Sequence, residues 1–162
     1  MSIAFSPDGS LFAAGFRGSP HSPLYLFWDI TRESHEGNAF GFFSTEGATS
    51  VAVNADNSRL ASGSCNDIHL WDISTREKIL QLDSNSRPLA TLEGHSACVE
   101  QLSYNPDSSL LISAADNEIY VWDTGDDSVV RTLAGRSFAL NASGTQMAII
   151  RQGVVQLWSL PD

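Results

Sequence analysis

The 162-residue chain carries 19 acidic against 9 basic side chains, a net charge of −10, and only 17% of its residues are charged. That leaves no cation cluster to neutralise a nucleic-acid backbone or to hold an anionic membrane, so neither is expected as a partner. No apolar run nears the ~18 residues of a membrane span. No basic-then-apolar leader opens the chain, and two cysteines, Cys65 and Cys98, build no disulfide framework, so the expected location is cytoplasmic.

The predicted elements recur in chain order. An apolar stretch breaks at a turn in IAFSPDGS, and the next marked strand, LYLFWD, ends at Trp28 and Asp29. AFGFF supplies a fourth strand. The same order returns as VAVNADNS and then DIHLWD, which ends at Trp71 and Asp72, with KILQL or PLATL as the outer strand. It returns a third time as VEQLSY, SLLISA and EIYVWD, joined by the turns NPDS and ADN, ending at Trp122 and Asp123 and followed by VVRTL. The last copy is FALNASGT and VVQLWS, where Trp158 is followed by Ser159. Pro7 and Pro106 suit the second position of a type I turn, and Gly9 the fourth.

The spacing is regular. Val53 to Trp71, Tyr104 to Trp122 and Leu140 to Trp158 are each 18 positions. Phe5 to Trp28 is 23, and the surplus falls in the Gly/Pro/Ser loop FRGSPHSP. Loops tolerate such insertions at low entropic cost. Each unit therefore reads as three strands closed by a tryptophan, with an outer fourth strand after the first three. The count is fifteen strands, and no segment has a helical period.

The stretch GHSAC (residues 94–98) admits two readings. A serine flanked by glycine is reminiscent of the G-x-S-x-G nucleophile elbow, which would make the protein a hydrolase with Ser96 as nucleophile. The elbow needs strand, sharp turn and helix, and a second glycine where Cys98 stands. After Ser96 comes another strand and turn instead. Cys65 and His69 are four apart, a spacing that does not converge two metal ligands on a strand. No catalytic constellation, metal or cofactor is expected.

The four units, with Gly94-His95 standing 27 positions ahead of Trp122-Asp123, resemble the WD-repeat β-propeller family over essentially the whole chain. The resemblance implies an all-β propeller of four-stranded antiparallel blades, with units at about 1–43, 44–92, 93–133 and 134–162. It implies repeat-closing residues Trp28, Asp29, Trp71, Asp72, Trp122, Asp123 and Trp158. In the family a histidine, a Ser or Thr, an aspartate and the tryptophan form a buried hydrogen-bond chain. Carried over, these are His95, Ser113, Asp116 and Trp122. Other units depart from the pattern. Ser44 and Cys65 stand at the His and Asp positions of the second, Ala14 at the Ser position of the first, and Ile149 and Gln152 in the fourth. The third unit is therefore expected to be the most stable.

The resemblance implies a non-catalytic scaffold for protein–protein interaction. Phe16, Arg17 and His21, in the long hairpin of the first unit, are candidate partner-binding residues. Propellers of this family usually close with about seven blades, and four are enough in some propellers. That leaves three arrangements: part of a longer array that supplies further blades, half of a homodimeric ring, or closure by four blades alone. The first is favoured.

Overall fold

The computed structural model of the protein describes residues 2–15, 25–29, 39–42, 48–75 and 87–161. Within them the chain forms fifteen strands and no helix. Strands β1 (Ser2–Phe5), β2 (Leu11–Gly15), β3 (Tyr25–Asp29) and β4 (Ala39–Phe42) make the first sheet. β5 (Ser50–Val53), β6 (Arg59–Gly63), β7 (Cys65–Asp72) and β8 (Ala90–Cys98) make the second. β9 (Gln101–Tyr104), β10 (Leu110–Ala115), β11 (Glu118–Asp123) and β12 (Val129–Ala134) make the third. β13 (Ser137–Leu140), β14 (Gln146–Arg151) and β15 (Val154–Ser159) make a three-stranded fourth. All pairings are antiparallel, and strands pair in chain order.

The turn chemistry explains why each sheet starts as it does. In the turn between the first two strands, a side-chain oxygen accepts the backbone N–H five residues on. Ser6 Oγ takes Leu11 N at 2.8 Å, and Asn54 Oδ1 takes Arg59 N at 2.8 Å. Asn105 Oδ1 takes Leu110 N at 2.9 Å, and Asn141 Oδ1 takes Gln146 N at 3.0 Å. The fourth residue of each turn (Gly9, Asn57, Ser108, Gly144) has φ between 59° and 71°. Gly and Asn tolerate that left-handed conformation best. The turn aspartates accept from serines two residues on, as in Ser58 N to Asp56 Oδ1 at 2.9 Å and Ser109 N to Asp107 Oδ1 at 2.8 Å. Those serine donors hold both carboxyls below the usual range.

The constant spacing of 18 is one row across three strands. Val53 lies opposite Leu60, and Leu60 opposite Trp71. Tyr104, Leu111 and Trp122 form the same row, as do Leu140, Met147 and Trp158. In the first sheet the row is Phe5, Phe12 and Trp28, so the extra residues fall between β2 and β3. In the second sheet the outer strand begins within PLATL, while residues 78–82 lie outside the described residues. β8 also runs on to Cys98, past the expected change of unit at 92/93.

Three apolar clusters sit between successive sheets. The first joins Ala4 and Ala13 to Val51, Val53, Leu60 and Trp71. The second joins Ala61, Ile68, Leu92 and Val99 to Leu102, Leu111 and Trp122. The third joins Leu110, Ile112, Ile119 and Val121 to Phe138, Met147 and Ile149. β10 is buried at all six positions. Its residues alternate, Leu111 and Ala115 toward the second sheet and Leu110, Ile112 and Ala114 toward the fourth. This is the pattern of a strand covered on both faces. Gln101 pins the third sheet to the fourth, donating to Phe138 O at 2.8 Å and accepting from Ser137 Oγ at 2.9 Å. Cys65 and Cys98, too few for a disulfide framework, are joined to each other by one disulfide between β7 and β8.

Candidate functional site

A buried polar group lies where β8 meets the third sheet. A tryptophan indole can only donate. Trp122 Nε1 donates to Ser113 Oγ at 2.8 Å, and Ser113 Oγ lies 2.7 Å from His95 Nε2. Ser113 is fully buried and the His95 side chain has no exposed surface. Ser113 Oγ accepts from the indole, and which of Ser113 and His95 donates in the second bond follows the imidazole tautomer. The other ring nitrogen is Nδ1. That atom is buried without a hydrogen-bond partner, and Glu118 Oε2 lies 3.9 Å away.

A local irregularity of β8 delivers His95 to this position. Asp67 pairs with Glu93, and Cys65 with Cys98. Between those pairs β7 has only Asn66, whereas β8 has the four residues Gly94 to Ala97. The extra residues bulge toward the third sheet. Gly94 has φ 146°, and a Cβ there would come within 2.9 Å of Tyr120 Cε2, so only glycine fits. Tyr120 stacks on His95 with ring centres 4.4 Å apart and donates to Gly94 O at 3.0 Å. Ser96 Oγ donates to Glu118 Oε2 at 3.2 Å. Tyr120 and Glu118, two positions apart on β11, thus both hold the Gly-His-Ser stretch.

The expected four-membered chain is corrected in one member. Asp116 is exposed on the β10–β11 turn with φ 51°, and no hydrogen bond ties it to His95, Ser113 or Trp122. Glu118, two residues on, is the acid that faces His95. Both lie on one hairpin, and spacing alone does not separate them. The second sheet repeats half the arrangement, with Trp71 Nε1 donating to Ser62 Oγ at 2.8 Å. In the fourth, Ile149 replaces the serine, and Trp158 Nε1 is buried without a partner. Trp28 and Asp29 lie at the end of β3, in backbone register with Phe12 and Leu11. Asp72 and Asp123 close the turns after β7 and β11, accepting from Ser74 N at 3.0 Å and Gly125 N at 2.7 Å. Phe16, Arg17, His21 and Ser44 lie outside the described residues. Gly94 was marked by the Gly-His pair, whereas Tyr120 and Glu118 carried no local sequence signal, because they meet that stretch only across two sheets.

Ser113, His95 and Glu118 stand in the order of a hydrolytic triad, yet the arrangement cannot work as one. Ser113 Oγ has no path to substrate, and one of its lone pairs is held by Trp122. Ser96 is exposed, but its side-chain partner is a carboxylate, while His95 Nε2 is turned inward. Cys65 is bonded to Cys98 and so is no thiolate partner for His69.

Burial holds the His95 pKa below its ordinary value near 6.5, with the Glu118 carboxylate opposing. The folded state then binds fewer protons than the unfolded state in the interval between the two values. This contribution to stability is full above the unfolded value and is lost as pH falls through that interval. Urea midpoints should therefore be lower at about pH 5.5 than at about pH 7.5. His95→Gln should show a smaller drop. A wild-type midpoint that is unchanged or higher at the lower pH would contradict the assignment.

Comparison with known proteins agrees with this geometry. Residues 40–72 and 86–123 match the family described as WD domain, G-beta repeat. The WD repeat-containing protein SL1-17 of Schistosoma mansoni is 30% identical over 131 residues, 79% of this chain and 38% of that protein. The small ribosomal subunit protein RACK1 of Schizosaccharomyces pombe is 25% identical over 121 residues, 74% of this chain and 36% of that protein. The ribosome biogenesis protein WDR12 homolog of Culex quinquefasciatus is 23% identical over 158 residues, 90% and 37% respectively. The chain thus spans 36–38% of the length of these curated relatives.

Proposed function

Because the chain belongs to the WD-repeat family of β-propeller proteins, we propose that it serves as a non-catalytic scaffold that binds other proteins within a larger assembly. The observation that carries this is apolar surface left open on the outward faces of the first and last blades. Ile3 and Phe5 are 58% and 61% exposed, and Val155 and Leu157 are 65% and 73% exposed. Exposed apolar surface of this kind marks interaction sites. The reading also draws on the inward-turned His95, which leaves Ser96 without a base. Two relatives are named for the ribosome or its biogenesis, which fits work inside an assembly. The charge of −10 favours protein over nucleic acid or membrane as the contact.

In this reading the flanks are covered by further blades, from a longer chain or from a second copy in a homodimer. Phe16, Arg17 and His21 remain candidate contacts for another protein, and the site of action is cytoplasmic. A fluorophosphonate probe separates the scaffold from the hydrolase. No adduct should form on Ser96. Labelling that disappears in Ser96→Ala would overturn the scaffold reading.

A further inference from the structure

The four-residue bulge that seats His95 is bounded on one side by the Asp67–Glu93 pair and on the other by the Cys65–Cys98 disulfide. Immediately beyond Cys98, Val99 donates its N–H to Ser64 O at 3.0 Å, and its carbonyl accepts from Ser50 Oγ at 2.8 Å. The disulfide therefore sits between the bulge and the body of the second blade. Both cysteines are only partly buried, so a reductant can approach them.

We propose that Cys65–Cys98 is a site of thiol–disulfide exchange with a dithiol reductant, and that its state sets how firmly the Gly94–Ala97 bulge locks the second blade to the third. In the exchange, a reductant thiolate attacks one sulfur of the pair. A mixed disulfide forms, and the other cysteine leaves as thiolate. The second thiol of the reductant then displaces the remaining cysteine. The protein disulfide takes up two electrons and two protons to become two thiols, and the dithiol is oxidised to its disulfide. With the bond cut, the bulge keeps Tyr120, Glu118 and the Val99 hydrogen bonds to the second blade but loses its covalent tether at Cys98. His95 is then released more readily from Ser113. A disulfide in a reducing compartment is characteristically transient or redox-sensing. The inference goes beyond the scaffold reading and rests on it only for the reducing compartment.

The test is hydrogen exchange on the purified chain with and without dithiothreitol, alongside alkylation mapped by mass spectrometry. Without reductant, Cys65 and Cys98 should resist alkylation and appear as one linked peptide. On reduction, amides of residues 93–99 should exchange about tenfold faster or more, while those of β14 keep their rate. The double variant Cys65→Ser, Cys98→Ser should match the reduced protein and ignore dithiothreitol. If that variant does not fold, reduction of the wild-type chain gives the reading alone. Cysteines that alkylate freely without reductant would overturn the proposal, as would unchanged exchange across 93–99 on reduction. Equal acceleration in β14 would also overturn it, by making the bond a general staple rather than a lock on this junction.

Discussion

Replacing Trp122 by alanine should cost about 3–5 kcal/mol of folding stability, read from urea denaturation. The ring is 3% exposed and packs in the cluster that joins the second and third blades, against residues such as Leu111, Val99 and Ile68. Its removal opens a cavity at that junction and leaves Ser113 with His95 as its one remaining polar partner. Ser113→Ala isolates the polar part of the effect. It strands the Trp122 N–H and His95 Nε2 in a buried site, at about 1–3 kcal/mol for each group left unpaired. Trp158→Ala should cost less than Trp122→Ala, because Trp158 is only partly buried and its Nε1 has no acceptor to lose. A Trp122→Ala loss below that of Trp158→Ala would show that the third blade is not the firmest unit.

The isolated chain should associate with itself. In the first sheet, Ile3 is in register with Ala14, and Phe5 with Phe12, on the face opposite to Ala4 and Ala13, which pack toward the second sheet. The Phe5 and Phe12 rings lie 5.2 Å apart, forming an aromatic surface. In the fourth sheet, Ile150 is in register with Val155, and Ala148 with Leu157, on the face opposite to Met147 and Ile149. Each end of the row of sheets therefore has one covered apolar face, while the opposite face carries exposed apolar residues, Ile3 and Phe5 at one end and Ile150, Val155 and Leu157 at the other. Covering each 100 Å² of such surface contributes about 2.5 kcal/mol. Against a typical domain stability of about 5–15 kcal/mol that is a large drive to associate. Leu157→Glu, a charge placed on a residue that is 73% exposed, should weaken association without disturbing the core.

Within each unit the architecture was legible because the signals are local. The Asn or Ser that accepts the N–H five residues on, the left-handed fourth turn position and the row ending in tryptophan all fall within a few dozen residues. Val53–Leu60–Trp71 and Tyr104–Leu111–Trp122 have the same spacing because the same hairpins connect them. What was not legible depends on contacts between units. Tyr120 meets Gly94 and His95 only once two sheets pack together, and Glu118 displaces Asp116 because the bulge of β8 brings Nδ1 to one side of the hairpin and not the other. The Cys65–Cys98 bond depends on that same bulge. Their separation of 33 residues has no meaning until four residues of β8 are opposed by one of β7.

Light scattering on the purified chain tests most directly the claim that these blades form an open scaffold needing cover on both flanks. The expected result is a mass above the 17.5 kDa of one chain, reduced toward it by Leu157→Glu, together with binding of a hydrophobic dye. A compact 17.5 kDa monomer that binds no dye would contradict it.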